Sequence, residues 1–345
     1  MAPDRSDPVP APPEPGTRAG GRGPGPPSPR HVALVGTTAS GKSALALELA
    51  RRDPGIEIVS VDSMQVYRGM DIGTAKPSPA ERAEVPHHLI DVADPWDDFT
   101  VAWFAREARR AVDEIQDRGH RALLVGGTGL YLRAVVDDLE VPGRYPDVRA
   151  ELEAEADTAG LHTRLCELDP VAAARMEPTN RRRVVRALEV TLGSGRPFSS
   201  YGPGLDVYPP SRFLLLGVSL PHEVVARRIE ERYHQQMADG FLDEVRALLA
   251  APGGLSRTAG QALGYRELID HLTGGPGLDE SLELAVRRTR RFARRQRSWF
   301  RRDPRIRWLA ALGDPGALLP GLRAELDAAD RGLAPSGAGR GQGSR

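Results

Sequence analysis

A parallel α/β sheet interrupted by an all-helical insertion is the fold the sequence predicts, and three observations predict it. The apolar run Val32-Ala33-Leu34-Val35 leads directly into Gly36-Thr37-Thr38-Ala39-Ser40-Gly41-Lys42-Ser43, which opens the helical pattern Ala44-Leu45-Ala46-Leu47-Glu48-Leu49. Two more apolar strands, near residues 56–61 and 121–125, also end at turns rich in glycine or acid. Between about residues 139 and 208 this alternation stops and only helical patterns follow.

The first turn fits G-x-x-x-x-G-K-[ST] at every position, so the sheet is P-loop NTPase-like. Glycines let backbone N–H groups turn inward around a phosphate, the helix adds the positive end of its dipole, and Lys42 supplies a point charge. The Ser43 hydroxyl is then placed to ligate Mg²⁺. Lys42 and Lys76 are the only lysines in a chain whose other basic residues are arginine. A lysine that survives such a bias marks a place where a compact ammonium is needed. The motif itself leaves open whether the loop holds a nucleoside triphosphate or the diphosphate of another molecule.

The strand at 56–61 delivers Asp62 to the same end of the sheet as the loop, because ligands of open α/β sheets sit beyond the carboxyl ends of the strands. An acid there can hold Mg²⁺ or take a proton. The segment 69–77 reads as a turn-rich loop, and His87-His88 is expected to hydrogen-bond or face substrate rather than bind metal, since adjacent side chains diverge and no further ligands are spaced to join them. A helix at 101–118 places Phe104, Ala108, Ala111 and Ile115 on one face, and the strand after it ends in Gly126-Gly127-Thr128-Gly129. Thr128 is thereby a second phosphate contact, with close backbone approach allowed by its glycines.

Helices are expected within the insertion at 147–158, 161–168, 171–176 and 180–192. The last carries Arg181, Arg182, Arg183 and Arg186, a density that suits a polyanion, and Glu189 is an available partner on the same helix. Sheet-type sequence resumes at 213–218, followed by a helix at 223–237 with Arg228 and Arg232 one turn apart. A long basic helix at 279–302 has Leu284, Thr289, Phe292, Ala293, Gln296 and Trp299 as its core stripe, before a short closing strand at 306–309. The expected organisation is a disordered tail over 1–29, a core over 30–138 and 209–312, the insertion at 139–208, and an extension with a second disordered tail over 313–345.

The chain has 345 residues, 40% of them hydrophobic and 27% charged, which suits a soluble globular protein, and its formal net charge is zero. Cys166, the only cysteine, rules out an intramolecular disulfide and is expected to be buried on its helix. No apolar run approaches the length of a membrane span, so a cytoplasmic protein with no membrane partner is expected. A regulatory GTPase is excluded because its guanine-reading N-K-x-D needs a lysine and no free one remains. A small-molecule kinase using ATP and a transferase acting on nucleic acid remain. The strand ending in Gly-Gly-Thr rather than an acid, together with the arginine clusters, favours the transferase.

Together, Gly36 to Ser43, Asp62-Ser63-Met64-Gln65-Val66-Tyr67-Arg68-Gly69-Met70-Asp71-Ile72-Gly73-Thr74-Ala75-Lys76-Pro77 and Gly126-Gly127-Thr128-Gly129-Leu130-Tyr131 resemble the bacterial tRNA dimethylallyltransferase (tRNA isopentenyltransferase) family. Arg186-Ala187-Leu188-Glu189-Val190, Gln261-Ala262-Leu263-Gly264-Tyr265 and Arg295-Gln296 extend the resemblance over about residues 31–309. Thr37 stands where the family usually has proline, which leaves the backbone donors of the loop unaltered. The resemblance implies transfer of a dimethylallyl group from dimethylallyl diphosphate to the exocyclic amine of the adenosine 3′ to the anticodon, in tRNAs reading codons that begin with U. It implies that residues 36–43 hold the donor's diphosphate with Mg²⁺, and that Asp62 is the general base. Thr128 and Arg232 contact the acceptor or the diphosphate by the same implication. The implied tRNA contacts, to the anticodon stem-loop, are Asp62, Ser63, Met64, Gln65, Thr128, Arg149, Arg182, Arg183, Val184, Val185 and Arg186. A monomer is expected.

Overall fold

The computed structural model describes residues 31–331, so both expected tails lie outside the described residues. Six strands form one parallel sheet: β1 Val32–Gly36, β2 Ile56–Val61, β3 His87–His88, β4 Arg121–Gly126, β5 Leu214–Ser219 and β6 Arg307–Ala310, in the order β3-β2-β4-β1-β5-β6. Strands β1, β2 and β4 are buried on both faces, so β1 and β4 read as nearly continuous apolar runs, while β2 buries Glu57 and Ser60 among its apolar residues. Helix α1 (Lys42–Arg52) covers one face. The helices α2 (Pro79–Glu84), α3 (Val101–Asp117) and α4 (Gly129–Val136) complete the first half of the core.

The insertion comprises α5 (Pro146–Ala154), α6 (Thr158–Leu168), α7 (Pro170–Ala173) and α8 (Arg181–Ser194). It has its own apolar core, with Leu152, Leu161, Leu165, Ala173, Val184, Val185, Ala187 and Leu188 buried together. After it come α9 (His222–Ala238), α10 (Phe241–Ala250), α11 (Tyr265–Leu272), α12 (Leu278–Phe300) and α13 (Leu319–Asp330). Helix α13 packs Leu319, Leu322 and Leu326 beside α1 on the sheet, an element the sequence pattern left as an undefined extension.

Both connections of the insertion are fastened at one place. Buried Arg133 on α4 bonds Asp137 and donates to the carbonyls of Leu205 and Val207, at 2.9 and 2.7 Å. Arg305 donates to Asp137 and to the Pro209 carbonyl, both at 2.6 Å. The Tyr208 ring lies against both guanidiniums, 4.5 Å from Arg133 and 5.5 Å from Arg305.

At the opposite end of the sheet Glu57 is buried and accepts hydrogen bonds from Arg118, His88 and His120. Burial works to raise its carboxyl, but these bonds outweigh it and hold the group down at about 2. His88 therefore does hydrogen-bond, as expected, and His87 holds the Val85 carbonyl at 2.7 Å. Lys76 also has the compact surroundings its rarity suggested. Its side chain is 2% exposed, and the ammonium meets Asp71 and Asp91 at 2.6 Å and the Tyr67 carbonyl at 2.5 Å. Three donors on one atom suit three acceptors converging on a point, which a planar guanidinium could not satisfy. Cys166, by contrast, is exposed on α6, because the buried face of that helix is carried by Leu161 and Leu165.

Candidate active site

Register alone brings the three motifs together. Val35 of β1 pairs with Gly126 of β4, and Gly126 pairs with Val61 of β2, so the next residues, Gly36, Gly127 and Asp62, stand at one level, Gly36 as the last residue of β1 and the other two just beyond their strands. Gly126 is required there, since a Cβ would lie 2.0 Å from the Val61 carbonyl oxygen. The phosphate loop, Asp62 and Thr128 consequently share one crevice at the carboxyl edge of the sheet.

Within the loop, Gly41 has φ +83° and Ala39 φ +60°, the left-handed turns that curl the chain around a cavity. The amides of Ala39, Gly41, Lys42 and Ser43 have no partner among the described residues. The buried Ser40 hydroxyl is also unpartnered. Lys42 is held only by the Thr37 carbonyl, at 3.3 Å. Part of its side chain remains exposed, yet the ammonium is surrounded by protein, and that desolvation lowers it to about 8 against an opposing pull from Asp62. Ser43 is exposed at the first turn of α1.

Two arginines of α9 close the outer side. Arg232 donates from Nη1 to the Thr38 hydroxyl at 2.9 Å, its Nε is buried without a partner, and burial lowers its ionisation while Tyr233 and Asp62 oppose that. Arg228 donates to the Ala39 carbonyl at 3.0 Å. A buried, unpaired N–H on a guanidinium and an unpaired hydroxyl are costly unless an anion arrives to meet them. Asp62 accepts the Met64 amide on Oδ1 at 2.9 Å, which leaves its other oxygen without a protein partner among the described residues. Thr128 begins α4 without capping it through its side chain.

Gln65 is fully committed within the protein. Its amide donates to the Thr74 and Ala75 carbonyls at 3.2 Å each and accepts from Ser60 at 2.8 Å. Ser63 and Met64 are half-buried in the turn between it and Asp62.

The insertion distributes its arginines differently from the sequence expectation. Val184 and Val185, at 0% and 2% exposure, point into the insertion's core, so neither side chain is available to RNA. Arg186 bonds Glu189 at 2.7 Å and the Pro142 and Gly143 carbonyls, and Arg149 bonds Glu153 and Glu189. Of the implied contacts on α8, Arg182 and Arg183 remain exposed and have no ion pair among the described residues.

One residue of the site was read from sequence as part of the α12 core stripe and of the resemblance, with no role in the site assigned to it. Gln296, 7% exposed, accepts the Thr38 amide at 2.8 Å and donates to the Gly127 carbonyl at 2.9 Å, bridging both turns. Trp299, one turn on, lies where a Cβ on Gly129 would come within 2.1 Å of its Nε1. The signal that could have found them is the pair Gly127 and Gly129, whose missing side chains make room for something close.

Residues 65–303 match the family model described as IPP transferase, and residues 30–91 match the one described as isopentenyl transferase. The tRNA dimethylallyltransferase of Geobacter metallireducens is 50% identical over 295 residues, 84% of this chain and 95% of that protein. That of Streptomyces coelicolor is 49% identical over 289 residues, 83% of this chain and 91% of that protein. Among solved structures, the tRNA isopentenylpyrophosphate transferase of Bacillus halodurans is 37% identical, with TM-score 0.65 over 88% of this chain and 97% of that one. A eukaryotic dimethylallyltransferase acting on tRNA is 25% identical, with TM-score 0.74 over 89% and 81%. A chain that shares half its residues with such proteins along nearly their whole length, and their fold as well, belongs to the IPP transferase family of tRNA dimethylallyltransferases.

Proposed function

We infer that the chain transfers the dimethylallyl group of dimethylallyl diphosphate to a tRNA, at the exocyclic amine of the adenosine 3′ to the anticodon in tRNAs reading U-starting codons. The observation that carries this reading is the shared level at which the phosphate loop, Asp62 and Thr128 leave three neighbouring strands. It sets an anion cradle beside a carboxylate whose second oxygen is free. Nothing found favours the alternative of an ATP-dependent small-molecule kinase.

The chemistry divides along the same line. The adenine nitrogen forms a bond to C1 of the dimethylallyl group while the C1–O bond breaks and its electron pair leaves with the diphosphate. Asp62 takes the proton that the amine loses. An allylic carbon tolerates positive charge, so the larger demand is for charge stabilisation on the departing diphosphate by Lys42, Arg232 and the open amides of the loop. Arg232 and Ser40 then gain the partners they lack in the free protein. Thr128, uncommitted at its hydroxyl, orients the acceptor or the diphosphate.

Magnesium fits this donor set in the manner of phosphate sites. No group of three or more His, Cys, Asp or Glu that could cage a cation exists among the described residues, but Mg²⁺ keeps several waters and takes substrate phosphate oxygens. Ser43 would hold it through its exposed hydroxyl, and the ion would supply Lewis-acid neutralisation of the diphosphate charge. The target base must leave its stack to reach the crevice, and an anticodon loop makes that comparatively cheap. Arg182 and Arg183 on the insertion are the phosphate contacts this reading assigns. No described helix is long and apolar enough to cross a membrane. A cytoplasmic monomer is the form in which we expect it to act.

The test is direct: the full chain is incubated with labelled dimethylallyl diphosphate, Mg²⁺ and unmodified tRNA, without ATP. Label is expected in the tRNA, at the adenosine next to the anticodon. A requirement for ATP, or label confined to a small molecule, would overturn the reading.

A further inference from the structure

In the phosphate loop the Ser40 amide turns back to the Thr37 carbonyl at 3.3 Å, and Thr38 alone has its amide and its hydroxyl both closed by side chains of distant helices. Ala39, Gly41, Lys42 and Ser43 present amides without partners, whereas Thr38 has neither its amide nor its hydroxyl free. Gln296 Oε1 takes the amide at 2.8 Å, and Arg232 donates to the hydroxyl at 2.9 Å. The Gln296 carboxamide is itself fixed from the other side by the Gly127 carbonyl at 2.9 Å, and it fits only because position 127 has no Cβ, which would lie 2.3 Å from Nε2. At 7% exposure the side chain is buried, with both ends of its carboxamide engaged.

In a loop of this type a phosphate chain runs from the helix mouth, where Lys and Ser/Thr meet the phosphates, back toward the strand. Thr38 stands at the strand side, farther from α1 than the open donors. Its amide is thus the donor that a third phosphoryl group would need, and a carboxamide oxygen already occupies it. An anion oxygen approaching that point would meet the Gln296 carbonyl dipole, negative end foremost.

We propose that Gln296 is a specificity-determining residue that closes the Thr38 amide and so sizes the loop for a diphosphate against a triphosphate. The inference rests on the reading that the loop holds the donor's diphosphate, and it explains how a loop with the full G-x-x-x-x-G-K-S pattern can refuse nucleoside triphosphates. The residue acts from α12, through a contact that no local motif contains.

The experiment compares the binding of inorganic pyrophosphate and inorganic tripolyphosphate to the full-length protein with Mg²⁺ present, by calorimetry. The proteins are wild type, Gln296→Met and Gln296→Glu. Wild type is expected to prefer pyrophosphate by about tenfold or more, the worth of one hydrogen bond to a charged group. Gln296→Met keeps the volume and removes the acceptor, and should shift the ratio about tenfold toward tripolyphosphate. Gln296→Glu keeps an acceptor for Thr38 and adds negative charge, and should weaken both anions while keeping the preference. A merely structural role would lower both affinities alike and leave the ratio unmoved. Wild type without a preference, or a Gln296→Met ratio equal to that of wild type, overturns the proposal. If wild type also transfers label from dimethylallyl diphosphate to tRNA, only the role of Gln296 falls. If it transfers no label, the functional reading falls whatever the ratio.

Discussion

The catalytic crevice and the helical insertion both concentrate positive charge, but they treat it in opposite ways. In the crevice Lys42 touches only a carbonyl, Arg232 keeps a buried N–H unpaired, and four loop amides are open. In the insertion Arg149 and Arg186 converge on the buried carboxylate of Glu189, and Arg181 donates to the carbonyls of Leu152, Glu153 and Glu155. A cation left without a partner is one held for a ligand, while a cation satisfied by its own fold is structure. Counting arginines along a sequence cannot separate the two.

The comparison breaks first at the crevice, where effects should be largest. Asp62→Asn preserves shape but cannot take the amine's proton, and its kcat should fall by about 10²–10⁴ with both substrates still bound. Rapid-quench turnover at saturating substrates would show it, and near-normal turnover would remove Asp62 as base. Lys42→Ala should lower kcat by about 10²–10³ and weaken pyrophosphate binding, while tRNA affinity stays close to wild type. Equal losses for tRNA and pyrophosphate would mean that the loop is not a dedicated diphosphate site.

Lys42 also makes the crevice sensitive to pH in a definite direction. Its folded value of about 8 lies below the ordinary lysine range, so charging it costs the free protein stability, a cost relieved as pH rises through 8. Donor binding needs the ammonium and runs the other way. The ratio of pyrophosphate affinities, wild type over Lys42→Ala, cancels the ligand's own ionisation; it should be level below about pH 8 and fall above it.

In the insertion the expected losses are smaller and of another kind. Glu189→Ala removes a buried acceptor shared by Arg149, Arg186 and the Tyr145 amide. It should destabilise the insertion by about 2 kcal/mol, discounted from a fully buried pair because both guanidiniums are partly exposed. Thermal unfolding would register this, with pyrophosphate affinity unaltered. Replacing Arg182 and Arg183 by Ala should leave the fold intact and lower the salt dependence of tRNA binding by about 1.4 in slope, if each meets one phosphate of a single-stranded loop. Identical slopes would leave these arginines as a solvated helix face.

What the sequence made legible was whatever repeats locally. The loop motif located the cradle, the apolar runs located β1, β2, β4 and β5, and the glycine turns located Asp62 and Thr128 beside it. Helical periodicity found α8 but could not tell that Val184 and Val185 face inward, because the motif that implies a tRNA contact spans a whole turn of helix. Cys166 was misplaced for a related reason: a small apolar residue on a short amphipathic helix has no signature that separates its edge from its buried stripe. Glu244 shows what stays invisible altogether. Its carboxylate accepts the amides of Asp71, Ile72 and Gly73 and the Tyr265 hydroxyl, which fixes the loop that carries Gln65's partners. The three amide bonds join segments more than 170 residues apart, and nothing in either segment announces the other.

The bridge between Thr38 and Gln296 has a consequence for the timing of synthesis. The two residues are 258 positions apart, so the phosphate loop emerges from the ribosome long before the helix that finishes it. At elongation rates of about 5–20 residues per second that interval is on the order of 13–50 s. Through it the Thr38 amide has no carboxamide to meet, so under the proposed role of Gln296 the selectivity of the loop is the last of its properties to be made, arriving only with the last long helix.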